Sequence, residues 1–206
     1  MGIAQTINGQ LRKVPAWPLY PLGLLPALWI GWLIFTDDLG VDPVRELEHR
    51  VGIWALRLIL AGLCVTPLRK WTGISLIKYR RALGVIAFFY AAVHVAVWVL
   101  LDLQLRWGEM WSHIIKQPYI TIGMAAFVMM IPLALTSNNL SVRKMGAGAW
   151  QRMHKLVYPL AFLGALHFVL VLKVWSQASF VYFAITIALL AVRLVWSQQR
   201  LRARLA

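Results

Sequence analysis

Six apolar runs, at about 18–36, 51–67, 81–101, 119–136, 155–173 and 179–196, make up most of this 206-residue chain. Each is close to the ~20 residues a helix needs to cross the ~30 Å hydrocarbon core of a bilayer. Inside hydrocarbon every backbone N–H and C=O must find a partner within the segment, which favours the α-helix. The expected fold class is all-α: a polytopic membrane protein, with residues 1–206 forming one transmembrane domain, a six-helix bundle. A hydrophobic content of 61% agrees and is too high for a soluble domain of this size.

The charges give the bundle a direction. Four segments carry Arg12 and Lys13; Arg69, Lys70, Lys78, Arg80 and Arg81; Arg143, Lys144, Arg152 and Lys155; and Arg200, Arg202 and Arg204, with no acid among them. The alternate segments hold Arg45, Arg50, Arg106, Lys116 and Lys173, together with all seven acids: Asp37, Asp38, Asp42, Glu46, Glu48, Asp102 and Glu109. The positive-inside rule makes the first set cytoplasmic and puts both termini inside. The net charge of +14 thus reflects topology. Nucleic acid is not an expected partner, because a basic domain for it needs a soluble basic face. Membrane lipid is the expected surroundings. The acidic outer connections could meet a basic patch on an external partner.

Arg12 and Lys13 precede an apolar run as in a signal peptide, but no small-x-small cleavage site follows, so this run reads as a retained first span. About ten residues follow the sixth run, and no soluble domain is expected there. The single cysteine, Cys64, makes no internal disulfide, CxxC zinc site or iron–sulfur cluster.

Two histidines interrupt the fifth run, His154 and His167, and a third, His94, interrupts the third run. An imidazole at such depth is costly unless satisfied, and in an apolar bundle metal ligation, usually of haem iron, is its commonest use. Without a CxxCH motif, a haem would be non-covalent and b-type. Runs three and five are parallel. His94 lies thirteen residues beyond Arg81, and His167 thirteen beyond His154, which is roughly 20 Å of helix. His94 and His167 are therefore expected at one depth towards the outer leaflet, as an axial pair. The alternative is two core imidazoles bonded to backbone carbonyls.

His154 falls at the inner boundary, level with Arg80 and Arg81. Thirteen residues on an ideal helix leave it about 140° from His167 unless a kink at Pro159 turns the first turn. Its candidate roles are ligand of a second haem, hydrogen bond to a propionate, or flavin contact, against an ordinary interfacial histidine. Arg57, about six residues inside the second run, could meet a propionate or snorkel to the outer headgroups. Arg80 and Arg81 could hold propionates or a flavin phosphate, or simply flank the span. His49 and His113 read as solvated outer-loop residues, with His49 near enough to the second run to approach an outer cofactor. Trp107, Trp111, Tyr119, Trp150, Tyr158, Trp175 and Trp196 fall near run ends as an interfacial belt, and Met129–Met130 reads as packing.

Short motifs now add a resemblance. DPV at Asp42–Val44, TPLR at Thr66–Arg69, RRALG at Arg80–Gly84, QPYITIG at Gln117–Gly123, LALTS at Leu133–Ser137 and WQRMHKLVY at Trp150–Tyr158 occur in order, with His94 and His167 following two of them. In this order the chain resembles the MsrQ (YedZ) family, within the ferric-reductase-like transmembrane superfamily. The resemblance implies a haem b subunit, with one haem or two and FMN as a further cofactor, in the bacterial inner membrane. It implies electrons arriving from the quinone pool or a cytosolic flavin reductase. They would leave to a periplasmic MsrP-like molybdopterin enzyme that reduces methionine sulfoxide. The family's important histidines map onto His94, His154 and His167. Two other classes stay open from the residues alone: a self-contained quinol-dependent ferric or b561-like reductase, and a non-redox transporter or assembly factor.

Overall fold

A computed structural model describes residues 2–171 and 176–205. Lys173, Trp175 and the last two residues of the expected span 155–173 lie outside that set. The described residues fold into helices: α1 (Ile3–Lys13), α2 (Leu19–Phe35), α3 (Pro43–Thr72), α4 (Arg80–Val97), α5 (Trp107–Lys116), α6 (Pro118–Leu135), α7 (Asn139–Met145), α8 (Ala147–Met153), α9 (Val157–Val171) and α10 (Gln177–Leu205). Among them, five helical stretches are long and apolar enough to cross a membrane. The sixth apolar helix, α2, has 17 residues and at ~1.5 Å each falls short of a full ~30 Å crossing.

Several boundaries differ from the sequence expectation. The second run does not end at Pro67: α3 continues through it to Thr72 and stops at Gly73, whose φ of 74° is the left-handed conformation glycine tolerates best. At its start, Asp42 accepts a hydrogen bond from the Arg45 N–H at 3.2 Å, and Pro43 takes the first helical position, where its missing N–H costs nothing. Pro159 does not kink a long fifth helix. The chain tightens earlier, in a 3-10 turn at His154–Leu156, and Pro159 falls in the first turn of α9. Beyond α4 the chain widens into a π-helical turn at Trp98–Asp102.

The short helix α2 is tied to α4 by an inserted hydroxyl. Pro26 lies inside α2, and the fully buried Tyr90 donates to the Gly23 carbonyl at 2.8 Å and accepts from the Ala27 N–H at 2.9 Å. Those two groups would otherwise bond each other along the helix, so Tyr90 bridges the ladder. Gly23 permits the approach, since a β-carbon there would lie 2.7 Å from Cδ1 of Ile86. Elsewhere small residues bring the helices together: Ala87, Ala161 and Ala165 have no exposed surface.

The two charge sets lie at opposite ends. At the basic end Asn8 of α1 donates to the Gly73 carbonyl, the Tyr79 hydroxyl donates to the carbonyls of Leu11 and Val14, and Lys70 sits 3.9 Å from the Trp196 ring centroid. Arg81 reaches Asn139 there as well. The helix α1, which sequence reading treated only as a basic lead-in, is thus fastened to the connection between α3 and α4. At the other end Leu39, Asp42, Asp102, His113 and Gln117 border one cavity.

Candidate functional site: a paired-histidine cavity

A cavity of about 880 Å³ opens at the acidic end between α3, α4, α6 and α9. That volume falls inside the ~300–1,000 Å³ range of cofactor and ligand sites. Its deeper wall is apolar, from residues such as Ile53, Leu56, Phe127, Met130 and Leu160. Its mouth is polar, with Asp42, Arg45, Glu46, Glu48, Asp102 and Gln117.

His94 of α4 and His167 of α9 face each other inside it, ring centroids 6.2 Å apart and planes at 78°. The depth matching read from the thirteen-residue spacing therefore corresponds to direct proximity in space. The two imidazoles are held by one local device, used twice. Nδ1 of His94 donates to the Glu48 carbonyl at 2.9 Å, and the ring lies against Gly52, four residues further along α3. Nδ1 of His167 donates to the Tyr119 carbonyl at 2.7 Å, and that ring lies against Gly123, four residues further along α6.

The physical logic is the same in both. A helical carbonyl points towards the residue four positions on, so a ring reaching that carbonyl must pass over that residue's β-carbon position. At Gly52 a β-carbon would stand 3.0 Å from Nδ1 of His94, and at Gly123 2.8 Å from Nδ1 of His167. Only glycine leaves the room. A carbonyl can only accept, so Nδ1 carries the proton on both rings and the Nε2 lone pair is left for another partner. Nε2 of His94 lies 3.9 Å from a Glu48 carboxylate oxygen.

The other expected site residues are placed apart. His154 does not join the pair. It stacks on Trp150 at 3.7 Å between centroids, with its Nδ1 3.1 Å from the Trp150 carbonyl, and its Nε2 is buried. Arg57 is exposed and does not line the paired-histidine cavity: its Nε donates to the Tyr182 hydroxyl at 2.7 Å, and its guanidinium lies 5.0 Å from the Trp54 ring centroid. Arg81 is exposed and donates to Asn139 at 2.7 Å. Arg80 is half-buried and makes no hydrogen bond to a described residue.

Sequence reading missed three contributors, His113, Gly52 and Gly123, and placed His49 in a loop while allowing it to approach an outer cofactor. His49 and His113 are on α3 and α5 rather than in solvated loops, and both border the cavity; the His49 ring sits 5.7 Å from that of Phe168. Gly52 and Gly123 were passed over, although a lone glycine in an apolar span is a recognised sign of close approach. Among the described residues no cluster of three or more His, Cys, Asp and Glu side chains forms a metal site.

Comparison with known proteins agrees with this architecture. A family model described as ferric reductase like transmembrane component matches residues 51–165, which include most of α3, all of α4 and α6, and α9 as far as Ala165. The protein-methionine-sulfoxide reductase heme-binding subunit MsrQ of Agrobacterium fabrum is 48% identical over 186 residues, covering 89% of this chain and 86% of that protein. Its counterparts in Brucella anthropi and Brucella ovis are each 45% identical, covering 90% of this chain and 84% of their own length. No solved structure matches the chain. With 45–48% identity over about 90% of its length and a family model matching residues 51–165, the chain belongs to the MsrQ family of ferric-reductase-like transmembrane components.

Proposed function

We propose that this protein is a haem b electron-transfer subunit, with His94 and His167 as the axial ligands. The single observation that carries the reading is the facing pair of imidazoles, each with Nδ1 tied to a backbone carbonyl. The fit to the group can be tested on geometry. Imidazole nitrogens bond a transition metal at about 2.0–2.1 Å, so two rings on opposite sides of one ion have centroids about 6.3 Å apart. The observed separation is 6.2 Å. The apolar wall suits a porphyrin body, and the polar mouth suits a charged edge.

When bound, haem iron supplies one-electron redox chemistry. The chain supplies the rest. Gly52 and Gly123 set the approach of the rings, the Glu48 and Tyr119 carbonyls select the tautomer and orientation, and Leu56, Met130 and Leu160 exclude water. Arg57, Arg80 and Arg81 are retained as candidate anion contacts, and His154 as a candidate ligand or contact of a second cofactor near the inner boundary. One haem b per chain satisfies the outer pair; a second haem or FMN would sit at the basic end.

In this reading α2 completes a six-helix transmembrane domain in the bacterial inner membrane, with both termini cytoplasmic. Electrons enter from the quinone pool or a cytosolic flavin reductase. They leave from the outer cavity to a periplasmic MsrP-like molybdoenzyme that repairs oxidised methionine. The relatives' name as subunits of a protein-methionine-sulfoxide reductase supports that partner. The testing experiment is a reduced-minus-oxidised visible spectrum of the purified protein, with pyridine haemochrome and protein quantitation. Low-spin haem b at one or two per chain is the expected result; no Soret absorbance after haem supplementation would overturn the reading.

A further inference from the structure

Among the described residues three glycines line the paired-histidine cavity: Gly52, Gly123 and Gly164. The first two make room for the histidine rings. Gly164 of α9 does not, because a β-carbon there would meet no atom of the surrounding protein within 4 Å. Glycine inside a helix is costly: it gives up more backbone freedom on folding than any other residue and has no side chain to pack. In an apolar bundle its usual reason is the close approach of another group. No neighbouring helix comes that close to Gly164, so its bare backbone faces the cavity.

The position is one of a matched set. Each residue of α3 that lines the cavity between Glu48 and Ile59 has a counterpart on α6 seventy-one positions on, between Tyr119 and Met130. Glu48 with Tyr119, whose carbonyls hold the rings, and Gly52 with Gly123 are two of these pairs. From α4 to α9 the spacing is seventy-three, and it pairs His94 with His167 and Ala91 with Gly164. Ala91 and Gly164 thus stand three residues before their histidines, on the same face of each helix and about one turn deeper. At that level both helices present almost nothing. On the outer side, four residues after the histidines, the wall carries Trp98 and Val171 instead.

A flat macrocycle ligated by both rings would lie between α4 and α9 and extend along them past its ligands. A side chain on the ligand's own face, one turn away, competes with it for that space. We propose that Gly164, with Ala91 of α4, sets the clearance for the porphyrin body and thereby how tightly haem is held. This role rests on the haem reading of the cavity, and neither residue is a ligand.

Two effects of opposite sign follow from one added methyl. In haem-free protein, purified from haem-limited cells, Gly164→Ala has nothing to collide with and improves helix propensity, so the unfolding temperature should stay the same or rise. Haem, in contrast, should be held less well. The test uses the full-length protein in a non-ionic detergent, loaded with ferric haem b, and follows haem loss to an excess of a haem-scavenging globin. Gly164→Ala should speed the loss measurably, and Gly164→Val roughly tenfold or more, the scale of overpacking a filled interior. The haem still bound should keep its low-spin paramagnetic resonance signal, since neither imidazole is touched. Adding Ala91→Gly to Gly164→Ala takes a methyl from the other wall and should restore part of the lost retention. Gly31→Val, at an exposed position of α2 where a β-carbon also meets nothing, should behave as the wild type. If Gly164→Val does not fold, Gly164→Ala and the double variant carry the comparison. Wild-type retention in the folded Gly164 variants overturns the proposal and leaves the histidine assignment standing. Loss of the low-spin signal from the haem that remains also overturns it, by showing that residue 164 acts through the ligands. So does earlier unfolding of haem-free Gly164→Ala, which would make Gly164 a packing residue. A wild type that takes up no haem overturns the haem reading, and this role with it.

Discussion

Gly123 and His167 stand back to back: a β-carbon at position 123 would lie 2.8 Å from Nδ1 of His167. The glycine is thus as much a part of the histidine site as the ring itself. Gly123→Ala should push the imidazole off the Tyr119 carbonyl, and Gly123→Val should do so more strongly, because a packed interior absorbs added volume badly. The expected outcome is a loss of more than about half the low-spin haem per chain in Gly123→Val, with Gly52→Val behaving alike. Haemochrome quantitation on the purified variants checks it. Wild-type haem content in both valine variants would show that the backing glycines do not position the ligands.

The ligand assignment makes a sharper prediction. His94→Ala or His167→Ala removes one of two axial nitrogens and should abolish the low-spin spectrum of the outer haem. Electron paramagnetic resonance of the oxidised protein distinguishes loss of the low-spin signal from a mere change in amount. His154→Ala, which breaks a stack on Trp150 outside the cavity, should leave that signal in place. A variant that keeps the full low-spin signal without His94 or without His167 rules that residue out as a ligand.

Tyr90 offers a test of the fold without touching the site. Tyr90→Phe keeps the ring and removes the hydroxyl that bridges Gly23 and Ala27 in α2. Two backbone groups lose a partner, at a cost of about 1–3 kcal/mol. Thermal unfolding in detergent should begin at a lower temperature, while the visible spectrum at room temperature stays that of the wild type. An unchanged unfolding temperature would mean that the bridge contributes nothing to holding α2.

Gly73 should tolerate substitution less well than an exposed position suggests. Its φ of 74° costs an L-residue about 1 kcal/mol, and a β-carbon would come 3.3 Å from that of Ala4. Gly73→Ala is expected to lower the unfolding temperature by a few degrees and to loosen α1, which limited proteolysis near Ile3–Lys13 would register as faster cleavage.

Orientation is open to direct measurement. In a Cys64→Ala background, a cysteine at Asp38 lies at the acidic end and one at Lys144 at the basic end, both on exposed residues. A membrane-impermeant maleimide applied to spheroplasts should label the first and spare the second. The reverse pattern would invert the proposed topology.

What the amino-acid sequence settled by itself was the periodic and compositional part of the protein. Apolar runs in hydrocarbon must be helices because no other local structure satisfies the backbone, so the all-α class followed directly. The alternation of basic and acidic segments was legible for the same reason, since charge sorting depends on connections and not on packing. Equal depth for His94 and His167 came from counting residues along two parallel helices. Tertiary structure alone decided whether those helices were neighbours and which way the rings turned. It also decided that Gly52 and Gly123 lay behind those rings, that His49 and His113 bordered the cavity, and that Arg57 turned to Tyr182. Each of those is a contact between residues far apart in the chain, fixed by the rotation of one helix against another. Near-uniform apolar composition hides that rotation: α9, like α2, is hydrophobic nearly all round and marks no face for its neighbours.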